Sequence, residues 1–492
     1  MAMRICLKYI TVITFIISLV ACSAKKEYTT KDMELPEVFQ LPDSIAQVPD
    51  SVLIPREQLF KDSALSRLIK SAFKNNFELR LADKDMAIND QYYKESKVAF
   101  LPTLNLNLLN IEREWSSENS SSSPEAGWYE HRGTDPPKNG FVSNSSFSST
   151  MLFNWEIDIW GKLRNQKIGA RALYQQSYVA RKVIQTELVA TVAEDYYTLL
   201  RLDEQFEVAR KNHKFRDSTM QMIKLLYNAG EVSALAVQQS EIQVLEASAL
   251  MSQLEETREI QENNLRLLVG ELPGKVERGN STTKDELPYQ EVCRLPLYLV
   301  QNRPDVQASL YGLAAANARV GVTQAQRLPN LSISMEGGLE SVLPQNWFNI
   351  PGSLLGGIVG SLTAPLLNGR KLTTEFEVAK LERDKAEIDF QRNVYSAIAD
   401  VRNTLVSLQR LEDQLDIAIK KQSVAQNALK SSRMLFQSGF ADYLEVIRAQ
   451  GEALETELNL VTTKTNLLTA RIHLYRALGG GWELDQPDQT QP

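Results

Sequence analysis

The stretch LYNAGEVSALAVQQSE occupies Leu226–Glu241, and its pattern of apolar residues, glycine and renewed helix returns as LFQSGFADYLEVIRAQ at Leu435–Gln450. Gly230 and Gly439 lie 209 residues apart, and the glycines that close LLVG and RALG, Gly270 and Gly479, show the same separation of 209. The chain is a tandem duplication. Whatever turn the first half makes, the second half makes again.

Proline punctuates the repeats. None of the 18 prolines falls between Pro137 and Pro273 or between Pro365 and Pro487, so both windows are free to be long helices. From Gly161 to Tyr227 there is room for roughly 100 Å of helix at about 1.5 Å per residue, too long for one compact core. Leu454, Leu458, Val461, Thr465, Leu468, Ile472 and Tyr475 step by four and three in alternation, a heptad seam with one polar break. Val189, Val192, Tyr196, Leu199, Leu202, Phe206 and Ala209 form a similar stripe, and Val394, Ile398, Val401, Leu405 and Leu408 repeat it. Such helices pack side by side as coiled coils, although an isolated charged rod has the same period.

Where proline and glycine gather, the period drops to two. After Pro102, TLNLNLL places Leu104, Leu106 and Leu108 opposite Thr103, Asn105 and Asn107; after Pro329, NLSISME places Leu331, Ile333 and Met335 opposite Ser332, Ser334 and Glu336. Return strands follow at 147–157 and 358–364. Four strands in two hairpins, apolar on one side and polar on the other, suit a transmembrane β-barrel, whose strand needs about 9–11 residues. A small soluble sheet packed on helices has the same alternation. The Ser- and Pro-rich stretch Ser116–Ser146 and the shorter LPQNWFNIPG read as exposed loops. Pro102 and Pro329 differ by 227 and Gly161 and Gly369 by 208, which puts 19 extra residues between the strands of the first hairpin.

Four strands cannot close a barrel, and an open edge in hydrocarbon leaves unpaired backbone groups costing several kcal/mol each. Two copies give about 8 strands with a filled interior, whereas three give about 12 and leave room for a channel. A homotrimer is the expected assembly.

At the start of the chain, Arg4 and Lys8 precede an apolar run from Ile10 to Val20 ending in LVAC. The run suits a secretory signal better than a membrane span, and LVAC resembles a lipoprotein box in which Cys22 becomes the lipidated first residue. Of three cysteines, Cys6 leaves with the signal and Cys22 carries the lipid, so Cys293 is alone, a small apolar core residue with no disulfide partner. With a net charge of −7, 43% hydrophobic and 23% charged residues, the chain is a folded protein whose acidic balance argues against nucleic acid.

WEIDIWGKLRN (Trp155–Asn165), NRPDV (Asn302–Val306), APLLNGR (Ala364–Arg370) and LYRALGGGW (Leu474–Trp482) resemble, in order and over nearly the whole chain, the outer-membrane factor family of TolC-like efflux channels. The lipobox and the terminal motif point to its lipoprotein branch, which serves RND-type drug and metal efflux pumps. The resemblance implies a mainly α fold with a membrane β-barrel, a trimeric 12-stranded cylinder joined to an α-helical coiled-coil tunnel in the periplasm. It also implies a passive conduit in the outer membrane, fed by a periplasmic adaptor and an inner-membrane pump.

The expected organisation is a signal peptide (1–21), a lipid-anchored extended segment (22–62), repeat 1 (63–290), repeat 2 (291–482) and a tail (483–492). Repeat 1 holds a helix, a hairpin over 103–157 and helices over 161–228 and 231–270. Repeat 2 holds a helix over 304–328, a hairpin over 330–366 and helices over 369–437 and 440–478.

In the family the two glycine turns, at Gly230 and Gly439, sit at the tunnel's periplasmic tip and meet the adaptor, and acidic residues after them ring the entrance. Glu445 matches one such position, with Asp442 a turn earlier. Another acidic position is filled by Arg448, and the corresponding place after the first turn holds Ala236, departures that lower cation preference unless Arg448 pairs with Glu445. Each of the three residues is also readable as part of a solvated face, and Phe436, matching an aromatic at the constriction, as inter-helix core. His131, His213 and His473 lie far apart without metal-ligand spacing, and neither a phosphate loop nor a nucleophile elbow occurs. No cofactor or enzymatic activity is expected. The competing assignment is a periplasmic helical adaptor or scaffold lipoprotein, which would carry one helical hairpin rather than two full repeats.

Overall fold

The structure is a computed structural model that describes residues 62–117, 141–279 and 303–480. The signal segment, Cys22, Cys293, His131 and the tail lie outside the described residues. In chain order the elements are α1 (Ser63–Asn75), α2 (Phe77–Val98), β1 (Thr103–Ser117), β2 (Phe141–Ile157), α3 (Lys162–Asn228), α4 (Ala234–Val269), α5 (Pro304–Ala325), β3 (Asn330–Ser341), β4 (Leu354–Thr363), α6 (Lys371–Gln437) and α7 (Tyr443–Ala477). They fall into two compact units.

The unit of residues 89–174 and 312–387 holds the strands. They form one antiparallel sheet in the order β1-β2-β3-β4, with β1 and β4 at its two edges. Register places Leu106 opposite Met151, Phe153 opposite Met335, and Met335 opposite Ile358, so one face is a continuous apolar surface. Ile358 is 74% exposed on it. Asn105, Thr150, Asn154, Ser332, Ser334 and Glu336 alternate onto the other face.

The strands of the first hairpin outrun their sequence signal: β2 begins at Phe141 rather than Phe147, and β1 runs 15 residues. The alternation breaks where β1 carries a bulge between Asn107 and Asn110, after which Leu109 and Ile111 take over the apolar face from Leu108. The equivalent end pairs Thr103–Asn154 and Asn330–Thr363 give offsets of 227 and 209, against 208 at the glycines. The 19 extra residues are therefore not all in the connection. One is the bulge, and one lies between Asn154 and Gly161.

The WEIDIWGKLRN motif pins the sheet to the start of α3. Asp158 accepts from the backbone N–H groups of Leu163 and Arg164, both at 3.0 Å, capping the helix where its dipole favours an anion. Trp155 and Trp160 donate their indole N–H groups to the carbonyls of Phe100 (2.9 Å) and Pro329 (2.6 Å).

The other unit, residues 62–88, 175–279, 303–311 and 388–480 among those described, is helical. Tyr196, Val192 and Leu199 of α3 form a core with Leu65 of α1, Leu265 of α4 and Ile472 and Tyr475 of α7. A second core joins Val401, Leu405 and Leu408 of α6 to Leu467, Ala470, Leu474 and Ala477 of α7. The single seam readable on α7 is thus half the story: the helix buries two stripes, one against each long helix. Each fully buried Leu or Ile contributes about 1.5–3 kcal/mol.

The NRPDV and LYRALGGGW motifs meet in this unit. Buried Arg303 donates to the carbonyl of Ala477 at 2.8 Å and to the carboxylates of Asp305 (2.7 Å) and Asp400 (3.4 Å). Thr186 of α3 donates to the carbonyl of Gly480 at 3.1 Å. Nearby, the phenol of Tyr196 donates to Asp62 at 2.7 Å and accepts the backbone N–H of Gly279 at 2.9 Å. Burial pushes that phenol well above its ordinary range, keeping it protonated as this role requires.

Candidate functional site

Both glycine turns end their helices by the same device. Gly230 and Gly439 adopt φ values of 79° and 73°, in the left-handed region that glycine enters without strain. Glu231 N–H donates to the Leu226 carbonyl and Phe440 N–H to the Leu435 carbonyl, each at 2.9 Å, the 6→1 bond of a Schellman stop. A Cβ at either glycine would meet nothing within 4 Å, so conformation and not crowding selects the residue.

Behind the turns, side chains tie the α3–α4 hairpin to the α6–α7 hairpin. The hydroxyl of Tyr443, only 5% exposed on the first turn of α7, lies 2.5 Å from Ser240 Oγ on α4. Within the first hairpin, Arg216 of α3, 7% exposed, donates to the Gln243 carbonyl of α4 at 2.7 Å and lies 3.5 Å from a Glu246 oxygen. Gln450 donates to Thr219 at 3.4 Å, and the Arg433 guanidinium sits 5.4 Å above the Phe215 ring. Burial lowers the Arg216 pKa, which nearby Glu246 partly restores; burial raises that of Tyr443, with the Ser240 bond and Arg216 opposing.

Against this cluster the sequence-derived residues divide. Phe436 is half-buried with its ring 6.2 Å from that of Tyr443, an inter-helix contact. Asp442, Glu445 and Arg448 are exposed at intervals of three along the start of α7, away from its buried stripe of Tyr443, Val446 and Gln450. Asp442 is the N-cap by backbone, but its carboxylate makes no capping bond. Glu445 and Arg448 form no ion pair with each other in the single chain. Ala236 is half-buried.

Sequence reasoning passed over the Tyr443, Ser240 and Arg216 cluster. Its signal was available: Ala209, Arg216 and Ile223 are spaced by seven, so a cation occupies a seam position that heptad packing reserves for apolar groups. Among the described residues no group of three or more His, Cys, Asp or Glu side chains could hold a metal ion, and no helix is long and apolar enough to cross a membrane.

A duplicated chain with a lipid-type strand face and paired helical hairpins defines a class: outer-membrane conduits built from long helices and shared strands. Residues 68–271 and 295–480 match the family described as Outer membrane efflux protein, and the chain belongs to it. It is 25% identical over 475 residues to the probable efflux pump outer membrane protein TtgC of Pseudomonas putida, covering 94% of this chain and 93% of that one. It is 24% identical over 479 residues to the probable outer membrane lipoprotein SilC of Salmonella typhimurium, covering 97% and 99%. The solved Campylobacter jejuni CmeC outer membrane channel superposes with a TM-score of 0.80 at 18% identity, covering 93% and 96% of the two chains. The protein is an outer-membrane efflux channel, a passive conduit and not an enzyme.

Proposed function

We propose that three copies of this channel pool their strands into a 12-stranded barrel, and that their paired hairpins form a tunnel receiving cargo from a periplasmic adaptor and an inner-membrane RND-type pump. The observation that carries the reading is the four-stranded sheet with two open edges and one apolar face. In hydrocarbon each unpaired edge group costs several kcal/mol, and only closure by further chains removes both edges. Two relatives named as an efflux pump protein and an outer membrane lipoprotein support the pump partnership and lipidation at Cys22.

In this reading the turns at Gly230 and Gly439 are the adaptor contacts. The exposed stripe of Asp442, Glu445 and Arg448 borders the entrance, with Phe436 beneath it. The stripe carries one net negative charge per chain, so its preference for cations is weak. The contacts of Tyr443 with Ser240 and of Gln450 with Thr219 hold the two hairpins together, and widening the entrance requires giving them up.

Size in detergent and conductance in planar bilayers test the proposal together. A three-chain particle with ion current is expected, and Glu445→Gln should shift the reversal potential toward lower cation preference. A stable water-soluble monomer that needs no detergent, or an assembled protein that passes no current, would overturn it.

A further inference from the structure

The connection between β3 and β4 holds an apolar cluster that conduction does not use. We propose that this connection is a membrane-seated paddle, lying outward on the barrel wall among the acyl chains and headgroup boundary of the outer leaflet. The proposal rests on the shared barrel proposed above and not on the gate.

Direction is fixed by one side chain. Phe147 of β2 pairs in register with Ile111 and with Ser341, which puts it on the apolar face of the sheet. The Trp347 ring packs on Phe147 at 6.0 Å, and Phe348 stacks on Trp347 at 5.0 Å. The loop therefore folds toward the apolar face and not across the polar one, which carries Glu340 and Ser148 at this level. Phe348 is 70% exposed and Ile350 65%, an aromatic and a branched aliphatic side chain that water would penalise and lipid would not.

Height agrees. From Ile157 to Phe147 the apolar face runs about 33 Å at about 3.3 Å per residue, or about 25 Å along the normal for strands tilted by roughly 40°, the height of a barrel's lipid band. Trp155 and Trp160, amphipathic rings of the kind that settle at a bilayer interface, mark the lower border of that band, and the packed apolar rings of Phe147 and Trp347 mark its upper edge. Continuity with the lipid-facing strands, rather than exposure alone, assigns the occupant.

A nitroxide on Phe348→Cys, in the full chain carrying Cys293→Ser and reconstituted into bilayers, tests this by power saturation. Expected is several-fold greater relaxation by oxygen, which partitions into lipid, than by the water-soluble nickel chelate NiEDDA. Gln345→Cys, in the polar turn of the same loop, should show the reverse. Chelate access at Phe348 equal to that at Gln345 would mean a hydrated loop and overturn the paddle. Exclusion of both relaxants would mean cover by protein and overturn it equally. Ile350→Cys provides the same readout should the Phe348 variant fail to assemble, and conductance of each variant reports separately on the channel.

Discussion

The two repeats share a backbone and differ in chemistry. Among the described residues positive-φ glycines recur in pairs, Gly161 with Gly369, Gly230 with Gly439 and Gly270 with Gly479, so the duplication has kept each of these left-handed glycines. The side chains at the hairpin ends have diverged. With the offset of 209, Tyr443 corresponds to Ala234, Glu445 to Ala236, Ser240 to Ala449 and Arg216 to Ala425. At each of these four positions one repeat carries a group that can bond or titrate and its counterpart an alanine methyl. Repetition builds the scaffold, and departures from it build contacts within and between the hairpins.

If the hairpins are equivalent in lipid, charge on the apolar face should damage both alike. Leu106→Arg in the first and Ile358→Arg in the second lie near mid-band, and each should cost about 2–4 kcal/mol per chain. Neighbours on the opposite face, Asn105→Arg and Val359→Arg, should assemble. Heat-modifiable mobility on gels reads the outcome; tolerance of arginine at only one apolar site would break the equivalence.

At the turns the symmetry should hold quantitatively. Gly230→Ala and Gly439→Ala each force a Cβ into the left-handed region with no neighbour to clash, at a cost of about 1–2 kcal/mol. Equal shifts in denaturation midpoint are expected, and a marked inequality would show that one turn bears strain the other lacks.

The smallest effect concerns the diverged residues. Tyr443→Phe removes one buried hydroxyl and Ser240→Ala its partner, each worth about 0.5–1.5 kcal/mol. That amounts to a few-fold rise in single-channel open occupancy. The double variant should open no more than either alone, since both delete the same bond. Additive effects would mean that the two residues act separately.

Much of this was legible because periods are physical. Seven-residue spacing, two-residue alternation and proline exclusion located the long helices and both hairpins, since each constraint acts within one segment. The bulge at Asn107–Asn110 escaped because a single inserted residue is invisible until a partner strand sets register. The second buried stripe of α7 escaped because Leu467, Ala470, Leu474 and Ala477 include two alanines, whose small apolar contribution barely alters a pattern. At the site, Glu445 and Arg448 stood out as charges on a helix end. Tyr443 and Ser240 did not, because their meaning lies in meeting across 203 residues of chain.

The bulge in β1 has no counterpart in β3, whose pairing with β4 runs unbroken. Bulged strands bend and coil more tightly than regular ones. A cylinder assembled from three chains would therefore alternate a kinked hairpin with a straight one around its wall. Its outer rim would be scalloped with threefold rather than sixfold periodicity, although the sequence that made it began as two copies of one unit.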